Sequence, residues 1–298
     1  MREILKWQAR SLVNRQNHSP YGFDATVNPY RGCAHACQYC YARDTHLFLD
    51  LNIGEDFSQK LFVKQRSPEQ IRQEVNRLPL DRVIALGTAT DPYQPLEGHH
   101  RISRRLLEII ADSGHAVTIT TKSPLILRDI DLLERLANHH QIRVHISLIS
   151  LNRDLLRVLE SGAPPPSVRL QTIAQLTQHA IPTLLFAAPI LPYLTDQEEQ
   201  LARLFKGASE ALVDGVMASR LRLSPTMKSY FFDWLVTHYP DLLEPYRSLY
   251  PGSSQYPLAR YSQALRQRVA KLQQHYGLSQ PYPTPKAWRP ISQLEFHF

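Results

Sequence analysis

From residue 60 to residue 223, short β-branched apolar runs alternate with amphipathic stretches, and this alternation narrows the fold more than any other feature. The spacing predicts strands at 61–63, 82–87, 115–121, 142–150, 182–190 and 212–223. Helices are expected between them, over 68–78, 100–112, 129–138, 152–160, 167–179 and 196–206. The first opens with Pro68 at a first-turn position after Ser67. The second puts Ile102, Leu106, Ile109 and Ile110 on one face. Near-continuous apolar strands separated by helices imply a parallel sheet covered by helices. The number of units suits a full or partial β/α barrel, in which chemistry sits at the C-terminal ends of the strands.

The 298 residues and their 43% hydrophobic content suit one large α/β domain or two small ones. The pattern changes near 224, beyond which the chain reads as helical and aromatic before a proline-rich tail at Pro281, Pro283, Pro285 and Pro290. Three units are expected: a basic N-terminal segment over 1–20, a core over 21–224, and a helical extension over 225–298 packed on the barrel. No apolar run suggests a membrane span, and the N-terminus lacks the apolar stretch of a secretory signal. The formal net charge of +7 makes a polyanion such as nucleic acid a candidate partner. Two basic helix faces are expected, one of Arg2, Lys6 and Arg10, the other of Arg266, Arg268 and Lys271; the plainer reading of both is a solvated face.

All three cysteines of the chain fall within eight residues: Cys33, Cys37 and Cys40, spaced C-x3-C-x2-C, with Tyr39 before the last. Clustered thiols are a poor disulfide framework and a good metal site, which favours a reducing cytoplasm. Three soft thiolates on one tight loop, eased by Gly32, can hold three corners of a cubic iron–sulfur cluster and leave the fourth iron open. Zinc is the alternative, with His35 or His46 as fourth ligand, but a structural zinc site usually pairs two distant hooks and this chain has one.

The C-x3-C-x-aromatic-C signature resembles that of the radical S-adenosylmethionine (radical SAM) superfamily. FDATVNPYRGCAHACQYCYAR, then LGTATDPYQPLE at 86–97, TKSPLILRDIDLL at 121–133 and APILPYLTDQE at 188–198 are similar to the branch related to spore photoproduct lyase, labelled DNA-repair-photolyase-like. The resemblance runs from about residue 10 to about residue 240. It implies a partial (β/α)6 TIM-type barrel, a [4Fe–4S] cluster on Cys33, Cys37 and Cys40, S-adenosyl-L-methionine as cofactor, and a lyase-like enzyme that uses a 5′-deoxyadenosyl radical on an unidentified substrate. It also implies a reducing partner such as flavodoxin or ferredoxin. Spore photoproduct lyase uses an additional cysteine as hydrogen donor, and this chain has no fourth cysteine. A DNA lesion lyase is thus one alternative reading; a cluster protein that only transfers electrons or senses is another.

The resemblance also assigns roles. Thr90 and Asp91 would take the amino group of S-adenosylmethionine, although DPY is also a simple turn. Lys122 would meet its carboxylate, Ser147 its ribose, and Ala188 with Pro189 its adenine, against which Tyr39 would pack. Tyr41 or Tyr30 could relay a hydrogen atom, or simply pack under the loop. Glu160 and Arg169 bracket the triple proline and read best as an ion pair holding that loop. His99–His100 and His139–His140 read as loop or helix-end residues.

Overall fold

The computed structural model describes residues 2–16, 22–279 and 284–288; Pro281, Pro283 and Pro290 of the expected tail lie outside them. Two sheets organise these residues. Strands are β1 (Glu3–Gln8), β2 (Val13–Arg15), β3 (Ala25–Val27), β4 (Tyr30–Arg31), β5 (Lys60–Gln65), β6 (Val83–Leu86), β7 (Ala116–Thr121), β8 (Ile142–Ser147), β9 (Thr183–Ile190) and β10 (Gly215–Arg220). The larger sheet runs β10-β9-β8-β7-β6-β3-β2. Its six strands from β10 to β3 are parallel, and β2 is antiparallel at the β3 edge. Helices Pro68–Asn76, Ile102–Ser113, Ile130–Ala137, Pro166–Gln178 and Glu198–Glu210 lie between them in sequence, giving the partial barrel expected.

The expected strand at 61–63 exists but is not a barrel strand. It is β5, in a separate sheet ordered β1-β5-β4. The barrel instead begins at β3, buried along all three residues. β5 alternates buried and half-buried residues, the mark of a sheet with one open face, whereas β6 and β8 are buried throughout. The helix expected around Arg2, Lys6 and Arg10 is also corrected. Glu3–Gln8 is a strand, parallel to β5 with Glu3 opposite Lys60 and Gln8 opposite Gln65. Pairing to a partner strand outweighs the four-residue charge spacing.

Local chemistry sets the helix ends. Helix Pro68–Asn76 starts on a capping box in which Ser67 and Gln70 bond reciprocally. Helix Ile102–Ser113 buries Leu106, Ile109 and Ile110 and stops at Gly114 in the left-handed region.

After β10, helices Pro225–His238, Leu243–Leu249 and Ala259–His275 pack back on the barrel. Phe231, Trp234, Tyr246 and Tyr250 stack in one aromatic cluster. The hydroxyls of Tyr246 and Tyr250 donate to the carbonyls of Pro192 (2.8 Å) and Leu221 (3.0 Å). On the basic face of the last helix, Arg268 donates to the Asp196 carbonyl, Lys271 forms an exposed pair with Glu198 at 3.3 Å, and Arg266 is exposed. No helix among the described residues is long and apolar enough to cross a membrane.

Phe231 is fully buried between Trp234 and Tyr246. Phe231→Ala should lower the unfolding free energy by about 3–5 kcal/mol, read from urea denaturation.

Candidate functional site

The cysteine loop leaves β4 through Gly32 and ends in the short 3-10 helix Tyr41–Leu49. Gly32 sits at φ +76°, and a Cβ there would meet the Phe57 carbonyl at 2.8 Å. The requirement for glycine is therefore both conformational and steric. Separate segments then brace the loop. The Cys33 amide donates to Phe57 O (3.0 Å), the Ala34 amide to the Gln94 side chain (2.9 Å), and the Gln38 amide to Leu159 O (2.9 Å). Gly162 touches the loop so closely that a Cβ would lie 2.0 Å from Ala34 O. From the C-terminal helices, Tyr230 donates to Gln38 (2.5 Å) and Ser224 to Asp44 (2.6 Å).

Arg43, 1% exposed, is the loop's internal staple. Its guanidinium donates to the carbonyls of Ala36, Cys37, Ile53 and Gly54 at 2.6–3.1 Å and lies over the rings of Phe57 and Tyr230. Four carbonyls satisfy its donors without a carboxylate, so its positive charge stays available to the thiols.

Cys33 and Cys37 are buried and Cys40 half-buried. Burial pushes all three thiols up, Cys37 to about 12, with Lys122 opposing the rise at Cys37 and Arg43 at Cys40. Thiols held neutral in this way become ligands by exchanging protons for metal. Among the described residues, no three His, Cys, Asp or Glu side chains converge on a point that could hold one metal ion. Three soft thiolate donors on one loop are the ligand type that an iron–sulfur cluster takes.

Thr90 and Asp91, after β6, lie beneath this loop with their polar atoms in use. The Thr90 hydroxyl donates to Gly32 O (2.6 Å) and accepts from Gln94 (2.9 Å). Asp91 accepts from the Thr121 hydroxyl (2.6 Å) and the amides of Lys122 (2.8 Å) and Tyr93 (2.9 Å), and lies 3.2 Å from His35 Nδ1. Burial pushes the Asp91 carboxyl up, but His35, Thr121 and Lys122 outweigh it and hold it down at about 2. His35 is thus engaged with Asp91, and His46 lies between Phe57 and Phe62.

A second group of buried polar side chains meets the loop at Tyr39. Glu160 accepts from the Tyr39 hydroxyl and from Arg169, and lies 3.8 Å from Lys122 Nζ. Arg169 also donates to Pro164 O (2.8 Å) and Ser147 O (3.0 Å), and Lys122 donates to the Ser147 hydroxyl (3.0 Å). Burial disfavours charge on both Glu160 and Arg169, yet each holds the other ionised. Lys122, Ser147, Tyr39, Glu160 and Arg169 therefore form one constellation at the strand ends. The expected Glu160–Arg169 pair is present, and it also anchors Tyr39. Ala188 is buried near the end of β9.

The two loop tyrosines separate. Tyr41 is 55% exposed, and its hydroxyl donates to Thr88 O. Tyr30 is buried and donates to Glu97 (2.5 Å) in a network with Arg128. The sequence reading missed Gln94, Arg43 and His145. Ser147 shares its strand face with His145, which burial and Arg143 hold neutral by lowering it to about 3. His145 Nε2 has no hydrogen-bond partner. Only the place of Arg43 after the last cysteine could have flagged any of these.

The family model described as "Radical SAM superfamily" matches residues 27–205. An uncharacterized protein of Mycobacterium tuberculosis is 37% identical over 272 residues, covering 91% of this chain and 80% of that protein. An uncharacterized protein of Methanocaldococcus jannaschii is 29% identical, covering 66% and 71%. Among solved structures, spore photoproduct lyase complexed with dinucleoside spore photoproduct superposes with a TM-score of 0.69 over 92% of this chain and 79% of that one, at 15% identity, a likeness of fold.

Two expectations follow from the loop's bracing. Gly162→Ala should displace Ala34 and lower iron incorporation severalfold while the circular dichroism of the barrel persists. Asp91 has a folded value below its unfolded one, so its stabilisation is complete above the ordinary carboxylate range and is lost as pH falls towards about 2. Asp91→Asn should cost about 2 kcal/mol at neutral pH and flatten the stability profile between roughly pH 4 and pH 2, measured by denaturation across that range.

Proposed function

This chain belongs to the radical SAM superfamily, and we propose that it is an enzyme that cleaves S-adenosylmethionine reductively to act on a substrate by hydrogen abstraction. The observation that carries this reading is the braced loop of Cys33, Cys37 and Cys40 beside the Lys122–Ser147–Glu160 constellation. The superfamily uses a [4Fe–4S] cluster and S-adenosylmethionine, and when bound the cluster supplies the electron that releases a 5′-deoxyadenosyl radical.

The chain's own residues bind, orient and shield. The three thiols would hold the cluster after losing their protons. Lys122, kept cationic by Glu160 against the effect of burial, suits the cofactor's carboxylate. The Ser147 hydroxyl, 3.0 Å from Lys122, suits a neighbouring oxygen. Tyr39, fixed by Glu160, forms a wall beside the loop, and Ala188 leaves room for a flat base to approach the backbone. In this reading Thr90 and Asp91 act as positioning residues, because their side chains are already bonded to the loop and to β7. Tyr41, at the rim, remains the candidate for relaying a hydrogen atom.

The fold likeness to spore photoproduct lyase favours a nucleic-acid lesion as the second reading, and the absence of a fourth cysteine counts against that enzyme's route. Reconstituted, dithionite-reduced protein should form 5′-deoxyadenosine from S-adenosylmethionine, detected by mass spectrometry, and Cys33→Ala should form none while keeping its fold. Equal product from Cys33→Ala would sink the mechanism. If the wild type binds S-adenosylmethionine in a titration, the purely electron-transferring alternative fails.

A further inference from the structure

The small sheet β1-β5-β4 presents one face away from the core. In its register Trp7 lies opposite Lys64, while Leu5 and Arg31 both lie opposite Phe62, so these side chains share that face. Arg31 sits 4.7 Å from the Trp7 ring centre, Lys64 5.8 Å, and Phe62 meets the ring edge-on at 6.1 Å. The side chains of Arg31 and Lys64 make no hydrogen bond or ion pair with a carboxylate among the described residues. Glu3 and Asp56 lie at the far end of the face beside Lys60, which Asp56 pairs at 3.1 Å. Burial and the Arg31 charge together lower Lys64 to about 8. Two like charges drawn partly out of water without a counter-ion are destabilising until an anion covers them.

The position of the face is as informative as its charge. Arg31 precedes Cys33 by two residues. Phe62 meets His46, His46 meets Phe57, and the Phe57 carbonyl accepts from the Cys33 amide. The face thus joins the Cys33 end of the loop, whereas Tyr39, Glu160 and Lys122 meet its other end. The neighbouring 3-10 helix exposes Leu47 and Phe48, the latter 81% exposed. An apolar spot beside uncompensated cations has the character of a transient electron-transfer contact.

We propose that the Trp7–Arg31–Lys64 face is the docking site for an acidic protein that carries single electrons. This rests on the radical SAM reading, in which the cluster must be reduced. One electron leaves the carrier, which is oxidised, and enters the cluster, which is reduced; no bond forms or breaks. A single-stranded nucleic acid suits the face less well, because the Trp7 ring is already engaged by two cations and the edge of Phe62, which restricts base stacking.

The test uses reconstituted protein and two reductants: flavodoxin in its fully reduced form, and photoreduced deazaflavin, which needs no docking face. Cluster reduction is followed by stopped-flow absorbance and electron paramagnetic resonance. Arg31→Gln/Lys64→Gln should slow reduction by flavodoxin about tenfold and remove most of its salt dependence. Reduction by deazaflavin and iron content should not change, and Arg266→Gln should behave as wild type. An unchanged flavodoxin rate would overturn the proposal. Equal slowing with both reductants would do so too, assigning the cations to the cluster itself. Loss of single-stranded oligonucleotide binding with flavodoxin reduction intact would reassign the face to nucleic acid. Wild-type protein that holds iron but accepts an electron from neither reductant would remove the radical SAM reading, and the docking face with it.

Discussion

The carboxylate of Glu160 holds the mouth of the barrel together. It is buried, it accepts from Tyr39 on the cysteine loop and from Arg169 on helix Pro166–Gln178, and Lys122 at the end of β7 stands 3.8 Å away. An ionised group out of water costs several kcal/mol unless its oxygens are met by good donors, and removing one partner of such a pair costs about 3–5 kcal/mol. Glu160 is therefore stable only when three parts of the chain are in place together. Its position ties the shape of the cysteine loop to the closure of the sheet, so the site cannot be distorted without disturbing the barrel.

The same logic explains which parts of the molecule the sequence discloses. The strands from Val83 to Ile190 were legible because they are largely apolar and buried, as strands covered on both faces must be. Ala25–Val27 was not, because three residues carry no period; its place in the sheet is set by pairing with Ile84, Ala85 and Leu86. β5 was legible as a strand and misassigned to the barrel, since strand pattern reports burial and not which sheet a strand joins. In the site, the cysteines declare themselves by residue type and spacing, and Glu160 and Arg169 by opposite charges across a stiff loop. Gln94 bonds a backbone amide 60 positions away, and Arg43 bonds four carbonyls. Every residue has a carbonyl, so no sequence pattern marks the ones a guanidinium will choose.

The C-terminal helices add a constraint that strand–helix alternation does not contain. Tyr230 and Ser224 reach the cysteine loop region across about 190 and 180 positions, and Tyr246 and Tyr250 bond carbonyls near the ends of β9 and β10. The C-terminal helices thus touch both the last strands of the open sheet and the region of the cysteine loop, which follows β4. In a sheet whose ends do not pair, that bridge substitutes for the missing strand contacts.

Bracing and adaptability are divided between two layers of the site. The cysteine loop is bonded from the Phe57, Gln94, Leu159 and Tyr230 segments and stapled by Arg43, so its geometry is set by the protein before any cofactor arrives. Preorganisation of this kind spares the reorganisation that a mobile loop would need when its ligands assemble. On the β8 face shared with Ser147, the interior keeps a neutral histidine with an unpartnered ring nitrogen, stacked on Phe186. A buried polar atom without a partner is costly, and it becomes favourable when a bound group supplies the missing bond. The loop therefore rests on bonds made throughout the chain, whereas His145 keeps one ring nitrogen without a hydrogen-bond partner and is held in place by stacking on Phe186.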